Sequence, residues 1–113
     1  MLIHNKLFKG ESYFCIECQK EILETEVNKV TWSCEVCQKK IMIDVQDEKD
    51  VKLVRLYPKE MNENDEVYDA RKRELHKLKG IKLGENECKI GIKDYRTCTF
   101  KYTDLINCEW NEQ

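Results

Sequence analysis

The sequence predicts a mostly β protein, and three observations lead to this prediction. Apolar and polar residues alternate with a period of two over most of the second half of the chain. The chain contains one proline and four glycines, so few residues interrupt such strands. Four of the seven cysteines form two Cys-x-x-Cys pairs, a pattern typical of a small β hairpin stabilised by a metal.

The length of 113 residues suits one domain or two very small ones. The first 50 residues contain few large apolar side chains, so burial alone cannot offset the entropy lost when they become ordered. A structural metal can offset this entropy, since it contributes roughly 10–16 kcal/mol to the folding of zinc-finger peptides. We predict domains at 1–46 and 51–113, joined by the mostly acidic segment Gln46–Asp50.

The two cysteine pairs lie in an internal repeat with a period of nineteen residues. Tyr13–Ile22 is echoed in register by Trp32–Ile41, and fifteen residues separate the pairs. Two equivalent turns can therefore approach one ion from opposite sides and form the tetrahedral sulfur cage that structural Zn²⁺ prefers. The predicted ligands are Cys15, Cys18, Cys34 and Cys37.

The stretch from about residue 12 to 45 resembles a zinc ribbon, and the four cysteines of the two pairs match its motif. The resemblance implies one structural Zn²⁺ held by those thiolates. Gln19 and Gln38 stand where ribbons usually have glycine. Glycine relieves a strained turn there, so the geometry of both turns stays open. An iron–sulfur site, a redox dithiol and two disulfides are the alternatives, although no βαβ pattern surrounds either pair.

The hairpin of the ribbon is predicted from alternation that begins at Leu23 and from a turn at Asn28–Lys29. Alternation at Ile41, Ile43 and Val45 predicts a third strand. Residues before the hairpin include His4, which we expect at the surface because four thiolates complete a structural zinc site. Four apolar residues of this lead are expected to cover one side of the ribbon: Leu2, Ile3, Leu7 and Phe8.

The second half begins with a predicted strand over Val51–Tyr57 that Pro58 ends. Residues 65–79 allow two structures. One is a helix capped by Asn64, which would make the fold α+β. The other, which we favour, is a hairpin of Glu66–Asp69, a turn and Leu75–Leu83. With the strands that follow, it resembles a small SH3-like barrel.

The three remaining cysteines share the apolar parity of their own predicted strands: Cys88, Cys98 and Cys108. Buried core thiols behave in this way, so we predict no chemistry for them. The alternative is a second metal site in which His76 supplies the fourth ligand.

A basic segment begins within the predicted turn Ala70–Glu74 and continues along the next strand, with six basic residues against one acidic residue. Its members are Arg71, Lys72, Arg73, Lys77, Lys79 and Lys82. Such a cluster can track a phosphate backbone, which favours a nucleic-acid partner in transcription or regulation. Tyr68 precedes the segment and Tyr95 follows well after it, so the sequence supplies no interleaved ring for stacking. A solvated charged face is an equally simple interpretation, and a protein adaptor or inhibitor steered by charge is the alternative function.

Catalysis is not expected from this sequence. A site closed by four thiolates leaves no position for water, and no phosphate-binding glycine loop or nucleophile motif occurs. We therefore predict no small-molecule substrate. Seven cysteines and no apolar leader favour a reducing, cytoplasmic location, and no apolar run suffices to span a membrane. The abundance of Lys, Glu, Asn and Ile is typical of a low-GC bacterium or its phages.

Overall fold

The computed structural model of the protein describes residues 7–46 and 49–111, and these are mostly β. They form two compact units, one of residues 7–55 with Trp110 and Asn111, the other of residues 56–109. The positions predicted for Leu2, Ile3 and His4 lie outside the described residues, as do two residues of the acidic joining segment. Leu7 is 60% exposed, so the expectation that it covers one side of the ribbon is wrong. The division into domains at 1–46 and 51–113 stays a prediction.

The first unit contains a four-stranded antiparallel sheet and a separate two-stranded ribbon. The strands are β1 (Ser12–Cys15), β2 (Lys20–Ile22), β3 (Val27–Asn28), β4 (Ser33–Cys34), β5 (Met42–Asp44) and β6 (Lys52–Leu56). The sheet has the order β6-β5-β1-β2, and β3 pairs with β4 to form the two-stranded ribbon. Tyr13 lies in the middle of the sheet, since it is the partner of both Ile22 and Ile43.

The strand predicted from Ile41, Ile43 and Val45 is confirmed as β5. The hairpin predicted to begin at Leu23 is shorter than expected. A 3-10 turn over Glu24–Glu26 replaces the predicted start of the strand, and Leu23 is exposed. The Glu26 carboxylate accepts a hydrogen bond of 3.0 Å from the Leu23 N–H. The Asn28 side chain likewise accepts the N–H groups of Val30 and Thr31. Side chains that satisfy the backbone locally compete with the ladder, which leaves two paired residues per strand.

A buried ion pair joins β6 to the segment before β1. Nη1 and Nη2 of Arg55 donate to the two carboxylate oxygens of Glu11 over 2.9 and 2.6 Å. Both side chains are buried, at 2% and 6% exposure. The Tyr13 hydroxyl and the Phe8 N–H also donate to this carboxylate. Burial raises the pKa of Glu11, but the hydrogen bonds and the charge of Arg55 outweigh it and hold the pKa below 4.5.

The second unit is an open antiparallel sheet of five strands: β7 (Glu66–Asp69), β8 (Glu74–Leu83), β9 (Glu87–Ile92), β10 (Thr97–Lys101) and β11 (Ile106–Glu109). Their order in the sheet is β10-β9-β8-β7-β11. A short 3-10 turn over Pro58–Glu60 precedes them, so Pro58 ends the preceding strand as predicted.

The hairpin over residues 66–83 is confirmed, and the alternative helix at 65–79 is wrong. The buried Asp69 carboxylate accepts hydrogen bonds from the N–H groups of Arg71 and Lys72. Arg73 then takes a left-handed conformation with φ of 54°. An acceptor that caps a tight turn, followed by a residue with positive φ, reverses the chain where a helix would continue.

The expected SH3-like barrel is not formed by the described residues. β11 returns to pair with β7 through Cys108 and Val67, on the opposite side of β7 from β8. β10 lies at the other end of this order, beyond β9. Because the last strand adds beside β7 instead of beside β10, the sheet stays open.

The buried side chains of β9 and β10 lie on one face of this sheet, whereas β7 and β11 have buried side chains on both faces, among them Tyr68 and Asn107. The fully buried side chains include Cys88, Ile90, Ile92 and Cys108, and Cys98 is half-buried. Burial raises the pKa of the Cys88 and Cys108 thiols, which are therefore neutral near pH 7. The prediction of core thiols is confirmed for these two. The alternative second metal site is wrong, because within residues 7–46 and 49–111 only the N-terminal cysteines form a metal-binding group.

We predict that Glu11→Gln destabilises the protein by roughly 3–5 kcal/mol near pH 7, since it leaves the buried Arg55 charge without its partner. Glu11 has a lowered pKa in the folded state, so its contribution is complete above pH 4.5 and is lost as the pH falls through the folded value. The difference in unfolding free energy between wild type and variant should therefore shrink on acidification. Urea unfolding of both proteins at each pH measures it. A difference that stays constant down to about pH 3 would contradict the assignment.

Candidate metal centre

Two turns of the first unit bring the four predicted ligands together. Cys15 ends β1 and Cys34 ends β4, while Cys18 and Cys37 lie in the turns that follow. All four sulfurs lie within 4.8 Å of one another. Cys15 and Cys34 are buried, and the other two are half-buried. The repeat therefore places one buried and one half-buried thiol from each turn around a common centre.

The sulfur positions fit a tetrahedral ion. A Zn–S bond of about 2.3 Å implies sulfur–sulfur distances of about 3.8 Å along the edges of the tetrahedron. The Sγ atoms of Cys15 and Cys37 are 3.4 Å apart, and no pair in the group exceeds 4.8 Å. The expected edge falls between these values. All seven cysteines are free thiols, so the structure contains neither of the two disulfides considered as an alternative. The four thiols could hold a metal ion.

The turn geometry that the sequence left open is now defined. Gln19 and Gln38 both adopt left-handed backbone conformations, with φ of 55° and 62°. Their N–H groups donate to the carbonyl oxygens of Ile16 and Cys34, respectively. These are the positions at which a ribbon usually has glycine, and the glutamines take the conformation that glycine favours. Each costs about 1–2 kcal/mol of backbone energy. The fold therefore accepts strain at equivalent points of both turns.

Backbone N–H groups of the turns point at the sulfurs. Those of Cys37 and Val36 lower the pKa of the Cys34 thiol to about 7, against the effect of burial. The N–H of Cys18 donates to the sulfur of Cys15 over 3.3 Å, yet burial dominates and raises the pKa of Cys15. The hydrogen bond with Cys15 raises the pKa of Cys18 to about 12. The cluster therefore retains protons near neutral pH, and a bound dication would release them.

The charged pair that supports the two turns was not predicted from the sequence. Tyr13 and Trp32 occupy equivalent places in the repeat, and their ring centroids are 6.2 Å apart. The guanidinium carbon of Arg55 lies 4.2 Å from the centroid of Trp32, while its nitrogens bind Glu11. The one signal in the sequence was a cation within the apolar run Leu53–Leu56. A charge placed where neighbours are buried needs a partner, although the sequence does not say which.

The basic segment divides between a turn and a strand. Its three N-terminal members lie in the β7–β8 turn, and its lysines beyond that turn lie on β8. All six side chains are exposed: Arg71, Lys72, Arg73, Lys77, Lys79 and Lys82. None of them lies in the metal-binding group.

No protein-family model, curated protein or solved structure matches the chain. In the described parts of the chain, no helix has the length and apolar character needed to cross a membrane.

Replacing Gln38 by glycine should stabilise the protein by about 0.5–1 kcal/mol. Relief of the left-handed conformation gains about 1–2 kcal/mol, and the greater freedom of glycine in the unfolded chain offsets part of this gain. Gln19→Gly should behave in the same way. Lys39→Gly is the matched control, because it lies beside Gln38 and does not have a positive φ. It should destabilise in a chemical unfolding assay, and equal behaviour of the Gln38 and Lys39 variants would refute the explanation.

Replacing Cys34 by serine should remove the bound metal and unfold the first unit, since a hydroxyl is a poor substitute for a thiolate ligand. Cys98→Ser should retain the metal, because Cys98 lies on β10 of the other unit. The metal content of each purified variant, measured by elemental analysis, separates the two. Equal loss from both variants would show that the metal is not held by the N-terminal cluster.

Proposed function

We propose that the protein holds one structural Zn²⁺ in a zinc ribbon and binds nucleic acid without catalysing a reaction. The observation that supports the metal assignment is the group of four thiol sulfurs within 4.8 Å. Iron can also take four thiolates. The spacing of two Cys-x-x-Cys pairs, fifteen residues apart, is the one found in structural zinc sites and favours zinc.

A structural role follows from the coordination that this donor set would supply. Four thiolates complete a tetrahedron, so a bound ion keeps no position for water and Lewis-acid hydrolysis has no place to occur. The first unit has a small apolar core, and a metal would contribute much of its folding energy. We therefore propose a binding protein that acts in a reducing, cytoplasmic compartment, where the thiols stay accessible to the metal.

The basic segment favours nucleic acid as the partner. Its six side chains are exposed, and they follow one another along a turn and the adjoining strand. Lysine and arginine that neutralise phosphates release condensed counterions, which supplies affinity without sequence recognition. A protein with a formal net charge of −2 gains no such affinity from its overall charge, so a local basic surface must supply it.

A protein adaptor or inhibitor is the second candidate, and one observation favours it. Ile16 and Val36, one in each cysteine turn, are 45% and 71% exposed. Apolar side chains at the tips of both turns would gain by burial against a partner protein. The two functions differ in one measurable property, because counterion release makes nucleic-acid binding depend far more strongly on salt than a packed apolar interface does.

Binding of the zinc-loaded protein to DNA and RNA across a salt series tests the proposal. We expect the logarithm of the association constant to fall by several units per unit of log salt concentration. Charge reversal of the basic segment should weaken binding and reduce the slope. Absence of binding at low salt would refute nucleic-acid association. Loss of partner binding in an Ile16→Ser/Val36→Ser variant, with no effect of the charge reversal, would support the adaptor.

A further inference from the structure

The solvent-facing side of strands β8, β9 and β10 is rich in lysine. Residues that pair across an antiparallel sheet share a face. The pairs Lys82↔Lys89 and Lys89↔Thr99 therefore place three side chains in one row on one face. All three are exposed, whereas Ile90, the neighbour of Lys89 along β9, is fully buried on the other face.

A β-bulge in β8 brings another lysine to this face. The register changes between Leu78 and Gly80, which leaves Lys79 as the extra residue. A Cβ placed on Gly91 would lie 3.3 Å from the Cβ of Lys79, so the Lys79 side chain starts on the same side as Lys89. Residues three apart on a regular strand, such as Lys79 and Lys82, point to opposite faces. The bulge places both on one face.

We define the lysine face as the exposed polar side of these three strands. Its basic and hydroxyl members are Lys77, Lys79, Lys82, Lys89, Lys93, Thr97, Thr99 and Lys101. Within the described ranges, no carboxylate oxygen lies within 4.0 Å of the Nζ of any of these lysines. Glu87, the cross-strand partner of Lys101, belongs to the same face.

Lys82 and Lys89 form a pair of like charges that lie directly opposite each other. Such a pair destabilises an antiparallel sheet, while a neutral or oppositely charged pair would not. The protein as a whole has a formal net charge of −2, so the positive charge is concentrated here and is not general. An anion that lies between the two ammonium groups would relieve their repulsion. The charge of the face thus matches a repeating polyanion.

An exposed aromatic ring lies at one end of the lysine face. The Lys93 N–H donates to the Lys77 carbonyl oxygen over 2.8 Å, which holds the β9–β10 turn beside that part of β8. This turn carries Tyr95, which is 42% exposed, and the guanidinium carbon of Arg96 lies 5.3 Å from its ring centroid. The fold therefore brings a turn that carries an exposed ring next to the start of the lysine face on β8, which the linear sequence does not show. A base can stack on such a ring only when it is free of a duplex.

We propose that the lysine face binds single-stranded nucleic acid, with phosphates held by its lysines and threonine hydroxyls and one base stacked on Tyr95. The assignment of this surface rests on the proposed function, and it specifies single-stranded nucleic acid as the class of partner. Same-face residues are about 6.8 Å apart along a strand, so the four same-face positions from Glu87 to Lys93 extend over about 20 Å. That length suits roughly four to six nucleotides. This proposal narrows the contacts of the basic segment to its strand residues Lys77, Lys79 and Lys82. The turn residues Arg71, Lys72 and Arg73 lie outside the proposed contact surface.

The decisive variant is Lys82→Glu, because affinity and stability should change in opposite directions. It replaces the like-charge pair with an oppositely charged pair, so the melting temperature should stay the same or rise. Affinity for a labelled oligothymidine of about twelve nucleotides should fall at least tenfold, and the salt slope should decrease by about 0.7 for each phosphate that is no longer neutralised. Lys89→Gln, which removes the repulsion without adding a charge, should weaken binding by a smaller factor.

Two further variants locate the surface. Lys72→Glu makes the same change of charge on the β7–β8 turn and should alter affinity less than about twofold at physiological salt, where charges beyond about 8 Å are screened. Tyr95→Ala should weaken binding about fivefold or more and leave the salt slope unchanged, because stacking releases no counterions.

Each contrary outcome refutes one named part of the proposal. If Lys72→Glu weakens binding as much as Lys82→Glu, or if Lys82→Glu has no effect, the lysine face is refuted while nucleic-acid association stands. If duplex DNA of equal length binds as tightly as the single strand, or if Tyr95→Ala has no effect, single-strand recognition is refuted. Absence of binding to oligothymidine, oligouridine and duplex at low salt refutes the proposed function together with the lysine face.

Discussion

The first unit depends on the convergence of four thiols within 4.8 Å. Its ribbon β3–β4 has only two residue pairs, and its longest strand has five residues. Isolated ladders of this length are not stable in water. A common ligand would cross-link the two turns, and the repeat makes their contributions equivalent. The strain accepted at Gln19 and Gln38 follows from this arrangement, because the turn that aims two sulfurs at one point requires a left-handed residue there.

A second, polar centre supports the same unit. Glu11, Arg55, Tyr13 and Trp32 form one connected group of buried and half-buried side chains. The group joins residues 44 positions apart in the chain. Its charges are matched, with bidentate geometry, so burial is tolerated, whereas removal of one partner would leave a charge without solvation. The thiols bring the turns together, and this group attaches them to the sheet.

Local patterns in the sequence were sufficient to predict the thiol cluster and most strands. Cys-x-x-Cys spacing and period-two alternation, as at Cys88, Ile90 and Ile92, depend only on residues a few positions apart. They therefore predict local structure without knowledge of the tertiary fold. The pairing of Glu11 with Arg55 could not be predicted, because many carboxylates compete for one cation until the register of the sheet is known. The loss of strand at Leu23 came from the Glu26 carboxylate, which satisfies the backbone locally. The sheet is open because β11 pairs with β7. Alternation along a strand does not determine which strands become neighbours.

The bulge at Lys79 makes the chemistry of one sheet face depend on the number of residues in β8. Deletion of that single residue would leave Leu78 opposite Ile92 and Gly80 opposite Gly91 in a regular ladder. Leu78 and Ile81 would keep their places on the core side, and the solvent-facing side would lose one ammonium group. The extra residue therefore adds a positive charge to one face of the sheet without disturbing the other face, and related chains that lack it could keep the same core and present a less basic surface.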